Sequence, residues 1–218
     1  MLIEFTGLPG SGKTTIADKL IDRIGGEVDV KIGTFDHLGT VRRVTSKLAF
    51  AFTSFFIFPK DSFLVVKELS INHNSKMEAV RDALNILYLM TRYHKAKKQK
   101  ETDSIYIFDQ GLIQAFLSSC MYGQWSDSIF ETLKKYSGRV IFVDVSPEIS
   151  SARLSERGDK SSRVQKKGGQ IERLAEQERC LMKIITNLEF SKNKVITLPN
   201  NNEIKPEQIK QIVDLLLK

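Results

Sequence analysis

The sequence predicts an α/β fold built on a parallel sheet, on the basis of two observations. Five short runs are rich in valine, isoleucine and phenylalanine and show little polar alternation, as strands covered on both faces do. Longer segments with a helical spacing of apolar residues lie between them, which gives a repeated strand–helix–strand pattern. The five predicted strands span residues 2–5, 28–33, 104–109, 139–145 and 194–198.

The length and composition favour one domain. With 218 residues, of which 41% are hydrophobic, the chain can close one sizeable core and is too short for two comfortable domains. We therefore expect residues 1–218 to form a single domain. The formal net charge of +7 suits anionic partners such as nucleotides, nucleic acid or a lipid surface, although an excess of solvated lysines explains the same value.

The helices between the predicted strands have recognisable boundaries. The first spans residues 14–24, and the clearest begins near Ser75 with the capping box Ser75-x-x-Glu78. The apolar residues of this second helix recur at steps of three and four and predict one apolar face, formed by Met77, Val80, Leu84, Leu87 and Met90. The last helix begins near Pro206, and the polar, basic stretch 156–170 is predicted to be a loop between two helices.

A phosphate-binding loop follows the first predicted strand. The segment from Gly7 to Thr14 matches the Walker A pattern G-x-x-x-x-G-K-[ST] at every fixed position, and it lies between a predicted strand and a predicted helix. Glycines let successive backbone N–H groups point at phosphate oxygens, and the helix N-terminus adds a positive dipole end. The sequence therefore predicts a nucleoside triphosphate site. Its predicted nucleotide-binding residues are Gly7, Leu8, Pro9, Gly10, Ser11, Gly12, Lys13, Thr14 and Thr15.

Two side chains of this loop and one carboxylate are candidates for managing the charge of the triphosphate. Lys13 is expected to place a point charge on the β and γ phosphates, and the Thr14 hydroxyl is expected to bind Mg²⁺. Asp109 closes the third predicted strand, where a carboxylate beside the loop can hold Mg²⁺ directly or through water. The alternative for Asp109 is a cap on the turn before the next helix.

Arginines before and within the polar loop predict a lid over the triphosphate. Arg153 and Arg157 are four residues apart and so share a helix face, and Arg163 follows in the loop. Arginines on such a segment can neutralise the transferring phosphoryl group and exclude water, which makes these three catalytic candidates. We expect the lid to span about residues 153–170, with a solvated basic face as the alternative.

Together these features resemble the nucleoside and nucleoside-monophosphate kinases. The features are the strand–helix rhythm, the loop after the first strand, the acidic residue after the third and the arginine-rich segment before the last. The likeness is to the thymidylate kinase and deoxynucleoside kinase group, which the segments LNILYLMTRYHKA (84–96) and VSPEISSARLSERG (145–158) also resemble. The resemblance implies a three-layer α/β/α P-loop kinase fold with strand order 2-3-1-4-5.

The resemblance also implies where substrates bind. It implies ATP with Mg²⁺ as the phosphoryl donor, and an acceptor-binding region at about residues 34–75. By the same likeness Arg92 faces the acceptor, and the segment after the last strand, with Pro199 and Asn200, lies beside adenine.

The expected acceptor site departs from that group. Thymidylate kinases usually follow the strand-three acidic residue with arginine, whereas Gln110 follows Asp109 here. The Glu-Pro pair expected after strand two is absent, and Asp36 is the available carboxylate. Asp36 or Asp109 is therefore the candidate general base, although Asp36 is equally suited to cap a helix. Gln110 and Arg42 are candidate acceptor contacts, and solvent is the alternative surrounding for Arg42.

Residues 47–66 form an apolar segment with a cluster of phenylalanines, in the expected acceptor-binding region. The segment is predicted to be a helix that packs into the core or against a partner subunit, and the second case would make a homodimer. A hydrophobic acceptor pocket and a surface that meets membrane are the alternatives.

The predicted function is ATP- and Mg²⁺-dependent transfer of a γ-phosphoryl group to a small molecule, most simply a nucleotide or nucleoside. The wording TGLPGSGKTT also resembles adenylylsulfate kinase and small antibiotic or sugar kinases, so such acceptors stay open. A regulatory or scaffold protein that binds nucleotide without turnover stays open as well. A GTPase is disfavoured, because no aspartate completes an N-K-x-D pattern after Asn193 and Lys194. No nucleic-acid partner is expected, because the chain has no platform of stacking aromatics.

The start of the chain and its cysteines predict a cytoplasmic protein. No basic stretch precedes an apolar run and a cleavage site at the N-terminus, so a secretory leader is not indicated. The most apolar run, 48–58, is too short to span a bilayer. Cys120 and Cys180 form no C-x-x-C pair and are expected to be reduced, packed thiols.

Overall fold

The chain folds around a five-stranded parallel sheet. The computed structural model describes residues 1–26, 28–32, 40–73, 75–98, 104–120, 126–156, 170–190, 195–202 and 204–217. The strands are β1 (Leu2–Gly7), β2 (Val30–Ile32), β3 (Ile105–Phe108), β4 (Arg139–Asp144) and β5 (Val195–Pro199). Every strand pair is parallel, and the order across the sheet is β2-β3-β1-β4-β5. The predicted α/β class and strand order are confirmed.

Helices connect the strands and cover both faces of the sheet. In the described part of the chain they are α1 (Lys13–Ile24), α2 (Thr40–Ile57), α3 (Pro59–Asn72), α4 (Lys76–Lys98), α5 (Leu112–Cys120), α6 (Asp127–Tyr136), α7 (Pro147–Glu156), α8 (Gln170–Phe190) and α9 (Pro206–Leu217). Alternation along β1 separates two cores. Ile3 and Phe5 pack in the layer of α1 and α9, whereas Leu2 belongs to the core that α4, α5, α6 and α8 build on the other face. The expected three layers are therefore present.

The long predicted helix is observed as α4, but its predicted apolar face is wrong at its start. Met77 and Val80 are 82% and 58% exposed, while Leu87, Met90 and Tyr93 are buried. The middle of α4 is buried on nearly every side because α2 and α3 pack on it opposite the sheet. Helical periodicity therefore weakens as a guide where a helix is covered from two directions.

The phenylalanine-rich segment forms the end of α2 and the start of α3 rather than one helix. Phe58 lies between the two helices, and Pro59 is the first residue of α3. Ala51 and Val65 are buried, but Phe56 is 74% exposed. The prediction that this segment packs into the core therefore holds for one side of each helix only.

Two further expectations concern cysteine chemistry and membranes. Cys180 on α8 is disulfide-bonded, so the expected reduced thiol is wrong at this position. Among the described residues, no helix has the length and apolar character of a membrane span.

A buried carboxylate under the sheet fixes the start of α5. Glu4 in β1 is fully buried, and its Oε2 accepts hydrogen bonds from the Tyr93 hydroxyl at 2.8 Å and from the Ile113 N–H at 3.1 Å. The Tyr93 oxygen in turn accepts the Leu112 N–H at 3.0 Å. A Cβ on Gly111 would lie 2.7 Å from the Cβ of Glu4, so only glycine fits over this side chain. Desolvation raises the pKa of Glu4 to about 7, against the lowering effect of its hydrogen bonds.

Glu4 should make stability depend on pH. Its pKa is near 4.5 when unfolded and about 7 when folded, so its contribution is fully present below pH 4.5 and is lost as the pH rises through about 7. We expect the free energy of unfolding to fall by about 2–3 kcal/mol from pH 5 to pH 8 through this group. In Glu4→Gln, the free energy of unfolding measured with urea should fall by about 2–3 kcal/mol less between pH 5 and pH 8, because the amide cannot ionise.

The exposed Glu207 on α9 offers a matched control for this measurement. Glu207→Gln should keep the wild-type pH dependence. Identical pH profiles for Glu4→Gln and the wild type would contradict the assignment.

Candidate functional site

The predicted phosphate-binding loop leaves β1 at Gly7 and enters α1 at Lys13, at the carboxyl end of the central strand. Gly10 and Gly12 have φ angles of 81° and 91°, in the left-handed region that glycine tolerates best. A Cβ on Gly12 would lie 2.7 Å from Nδ2 of Asn200, so space as well as backbone conformation requires glycine there. Loops of this kind gather backbone N–H groups and a helix N-terminus around one concavity, which suits an anion.

Lys13 places its ammonium group against the loop itself. The side chain is buried, and Nζ donates hydrogen bonds to the carbonyl oxygens of Gly7 at 3.0 Å and Leu8 at 2.7 Å. Nζ also donates to Oγ of Ser11 at 3.3 Å. The carbonyl groups of the loop thus hold the positive charge of Lys13 in place.

Thr14 and Asp109 meet across the sheet edge. Oγ1 of Thr14 donates to Oδ2 of Asp109 at 3.4 Å, although the two residues are 95 positions apart. A hydroxyl and a carboxylate are hard oxygen donors of the kind that Mg²⁺ prefers, and neighbouring ligands of an octahedral Mg²⁺ lie about 3 Å apart. The spacing of these two oxygens therefore fits a shared Mg²⁺.

Asn200 ties the end of β5 to the phosphate-binding loop. Its side chain is buried, and Nδ2 donates to the carbonyl oxygen of Ser11 at 2.5 Å. Its backbone N–H donates to the carbonyl oxygen of Asp144 at 2.7 Å, at the end of β4. The segment after the last strand, which the resemblance places beside adenine, thus contacts the loop directly.

Arg153 reaches the same place from α7. Its Nη2 donates to the carbonyl oxygen of Asn200 at 2.9 Å. Arg153 and Asn200 line a cleft of about 480 Å³ together with Gly12, Thr15 and Lys19. The cleft adjoins the phosphate-binding loop and has room for part of a nucleotide outside the loop.

Two supporting residues were not found by sequence reasoning. Oε1 of Gln114 accepts the N–H of Gly7 at 3.3 Å, and Oγ of Ser150 donates to the carbonyl oxygen of Pro9. Both lie on helices, α5 and α7, that begin just after strands β3 and β4. Position after a strand was the only available indication, because an isolated glutamine or serine has no distinctive pattern.

The structure brings together only part of the predicted site. Arg92 lies on α4 with its guanidinium 5.9 Å from the centre of the Phe50 ring, on the side where α2 packs. Gln110 follows Asp109 and is exposed. The predicted residues Asp36, Arg157 and Arg163 lie outside the described residues, and the side chain of Arg42 does too.

The fold has known relatives among solved structures. No protein-family model matches the chain, and no curated protein matches its sequence. The deoxyadenosine kinase from M. mycoides with bound dATP aligns over 100% of this chain and 100% of its own, with a TM-score of 0.55 and 14% identity. The same enzyme with bound dCTP aligns over 100% and 99%, with a TM-score of 0.55 and 15% identity.

A second relative has the same fold. The YorR protein from Bacillus subtilis in complex with phosphorylated GDP aligns over 100% of this chain and 96% of its own, with a TM-score of 0.52 and 15% identity. The chain thus has a P-loop fold like that of the deoxynucleoside kinases, at a sequence identity that speaks for the fold alone.

The contact between Gly12 and Asn200 should be measurable as a coupling. We expect Gly12→Ala to destabilise the protein by at least about 1–2 kcal/mol, because alanine is strained at a positive φ and its methyl group meets Nδ2 of Asn200. Asn200→Ala should also destabilise, since the carbonyl of Ser11 loses its donor. The double variant should be more stable than the sum of the two losses predicts, as measured by urea unfolding.

Gly26 provides the control, because a Cβ there meets nothing within 4 Å. The effects of Gly26→Ala and Asn200→Ala should add. Strict additivity of Gly12→Ala with Asn200→Ala would show that the two residues do not touch in solution.

Proposed function

We propose that the chain is an ATP- and Mg²⁺-dependent kinase that transfers a γ-phosphoryl group to a nucleoside or nucleotide. The observation that supports this most strongly is the contact of Thr14 with Asp109 beside Lys13, in a loop at the carboxyl end of the central strand. This contact would place a metal site, formed by Thr14 and Asp109, next to a phosphate site at Lys13. Transfer from a metal-bound triphosphate requires both sites side by side. The likeness of the fold to a deoxyadenosine kinase supports the class of acceptor.

The loop would hold the β and γ phosphates of the donor. Lys13 would exchange a hydrogen bond to a loop carbonyl for one to a phosphate oxygen, so its charge moves little when the donor binds. Thr14 and Asp109 would hold Mg²⁺, which would supply positive charge to the phosphate oxygens of the donor. These groups act by position and charge, because phosphoryl transfer needs little covalent chemistry from the protein.

The remainder of the donor would occupy the cleft beside the loop. Arg153 and Asn200 line this cleft, and Pro199 ends the neighbouring strand β5. We propose that the base and ribose lie there, and that Arg153, with Arg157 and Arg163, closes over the transferring group as a lid.

The acceptor would approach from the side of residues 34–75, within a single domain that spans residues 1–218. Asp36 or Asp109 would accept its proton, and Arg42, Arg92 and Gln110 would contact it. Glutamine at 110 offers both a hydrogen-bond donor and an acceptor but no charge, which favours an uncharged acceptor group over a phosphate at that position.

A screen with purified protein tests the proposal. ATP and Mg²⁺ are combined with nucleosides, nucleotides, sugars and aminoglycosides, and acceptor-dependent formation of ADP is measured. We expect turnover with a nucleoside or nucleotide, and a loss of about 10²–10³-fold in Lys13→Ala, because one donor to the transferring charge is removed. Lys134→Ala, on the surface of α6 beside Glu131, should retain full activity.

The same screen distinguishes the alternatives. Turnover restricted to a sugar or an aminoglycoside would replace the proposed acceptor class and keep the kinase assignment. Tight binding of ATP with no turnover on any acceptor would contradict the kinase assignment and favour a regulatory or scaffold role.

A metal titration tests the pair at the sheet edge. We expect Asp109→Asn to raise the Mg²⁺ concentration for half-maximal activity by about tenfold, since an amide oxygen carries no charge. Asp127→Asn, at the exposed start of α6, should leave the titration unchanged. An unchanged titration in Asp109→Asn would place Mg²⁺ on other ligands.

A further inference from the structure

Helix α2 turns most of its larger apolar side chains to solvent, with Phe50 as an exception that packs on the core. Val44, Leu48, Phe52 and Phe56 follow one another at steps of four, so they form one stripe along the helix. Phe52 and Phe56 are 68% and 74% exposed, and their rings touch at 5.1 Å between centroids. The opposite side of α2 carries the small residues Ala51 and Ser54, which are the ones buried. A helix on the surface of a globular protein normally turns its large apolar side chains to the core and its polar ones to solvent, so this distribution is the reverse of the usual one.

Exposed apolar side chains also occur where α2 meets α3. Oγ atoms of Ser54 and Ser62 lie 2.7 Å apart and join the two helices there, so the neighbouring side chains Phe55 and Phe63 lie at the same corner. We define the phenylalanine face by the exposed residues Val44, Leu48, Phe52, Phe55, Phe56, Ile57 and Phe63. Its three most exposed rings alone present about 400 Å² of apolar surface, which is the size of the largest patch on many monomers.

The exposed charged residues described on α2 and α3 have one sign. Residues 44–71 are all described, and the charged residues among those that are exposed are Lys60 and Lys67. Lys60, Phe63 and Lys67 follow at helical spacing on the outer side of α3. Helix α2 has arginine and lysine and contains no aspartate or glutamate in its sequence.

The two acidic residues of α3 are directed elsewhere. Oδ2 of Asp61 accepts hydrogen bonds from Nζ of Lys135 at 2.6 Å and from the Tyr136 hydroxyl at 2.7 Å. Oε2 of Glu68 accepts the N–H of Ser126 at 3.4 Å. Both carboxylates therefore turn to the α6 side, and the exposed charged residues described on α2 and α3, Lys60 and Lys67, are both cationic.

We propose that the phenylalanine face binds the surface of an anionic lipid bilayer. Phenylalanine rings gain by entering the boundary of the acyl chains, and lysines beside them gain from anionic headgroups. A helix that is apolar on one side, basic, and without acidic residues is typical of segments that lie in the plane of a membrane surface. A second copy of the chain suits the face less well, because the same face offers no carboxylate to meet Lys60 and Lys67.

Vesicle flotation with the full chain tests the proposal without any assay of turnover. The protein is mixed with vesicles of phosphatidylcholine alone or of phosphatidylcholine with phosphatidylserine. We expect flotation with the anionic vesicles, weaker flotation at high salt, and at least about a tenfold loss of binding in Phe56→Ser/Phe63→Ser. The control is Leu215→Ser on α9, on the other side of the sheet, where a 52% exposed leucine should be dispensable for flotation.

The charges are tested by a second variant that keeps every ring. Lys60→Glu/Lys67→Glu should lose the preference for anionic vesicles, and circular dichroism should show wild-type melting because both side chains are exposed. Equal flotation of the wild type and both double variants would overturn the proposal, as would no flotation of the wild type.

Sedimentation equilibrium tests the alternative that a second copy of the chain binds to the phenylalanine face. If the wild type is a dimer that Phe56→Ser/Phe63→Ser converts to a monomer, and it does not float with vesicles, the face is an interface between copies. That result would overturn the lipid assignment.

Discussion

The parallel pairing of β1 with β3 and β4 is the constraint on which the rest of the site depends. Gly7 at the end of β1 pairs with Val143, but on the other side β3 already ends at Phe108, opposite Glu4. The chain after β3 therefore turns away opposite Glu4, three residues before β1 ends at Gly7 and the phosphate-binding loop begins. This places Asp109 where the first turn of α1 can reach it, and the contact between Thr14 and Asp109 follows.

The early end of β3 also explains the buried carboxylate. β3 pairs with β1 only as far as Glu4, and the turn through Gly111 passes over the Glu4 side chain. Ionised carboxylates avoid such sites, so Glu4 is tolerated there because Tyr93 and the N–H of Ile113 satisfy one of its oxygens. The same bonds hold the start of α5, and with it Gln114, which accepts the N–H of Gly7. A group with no expected part in the chemistry thereby helps to shape the loop.

Periodicity predicted the α/β class and the parallel sheet, and the resemblance to the nucleoside kinases implied the strand order. The strands were recognisable because both faces of the sheet are covered, and Lys13, Thr14 and Asp109 follow from a motif and a strand end. Glu4 was not predicted, because a single glutamate in an apolar run looks like an edge position until residues 89 and 109 positions away surround it. The acceptor residues could not be derived either, since resemblance supplied them and the departure at Gln110 removes part of its basis.

Helix α2 shows why composition alone misplaced the phenylalanines. The small side chains of Ala51 and Ser54 let α2 approach α3 and α4 closely, so its bulk has to lie elsewhere. Phe50 turns inward, where its ring packs on Tyr88 with Arg92 above it, while Phe52, two positions on, turns outward. Two positions along a helix reverse the direction of a side chain, and this separates the roles of the two rings. One helix thus presents Phe50 to the side of the proposed acceptor contact Arg92 and Phe52 to the outside, so a bilayer on the outer face does not compete with Arg92 for Phe50.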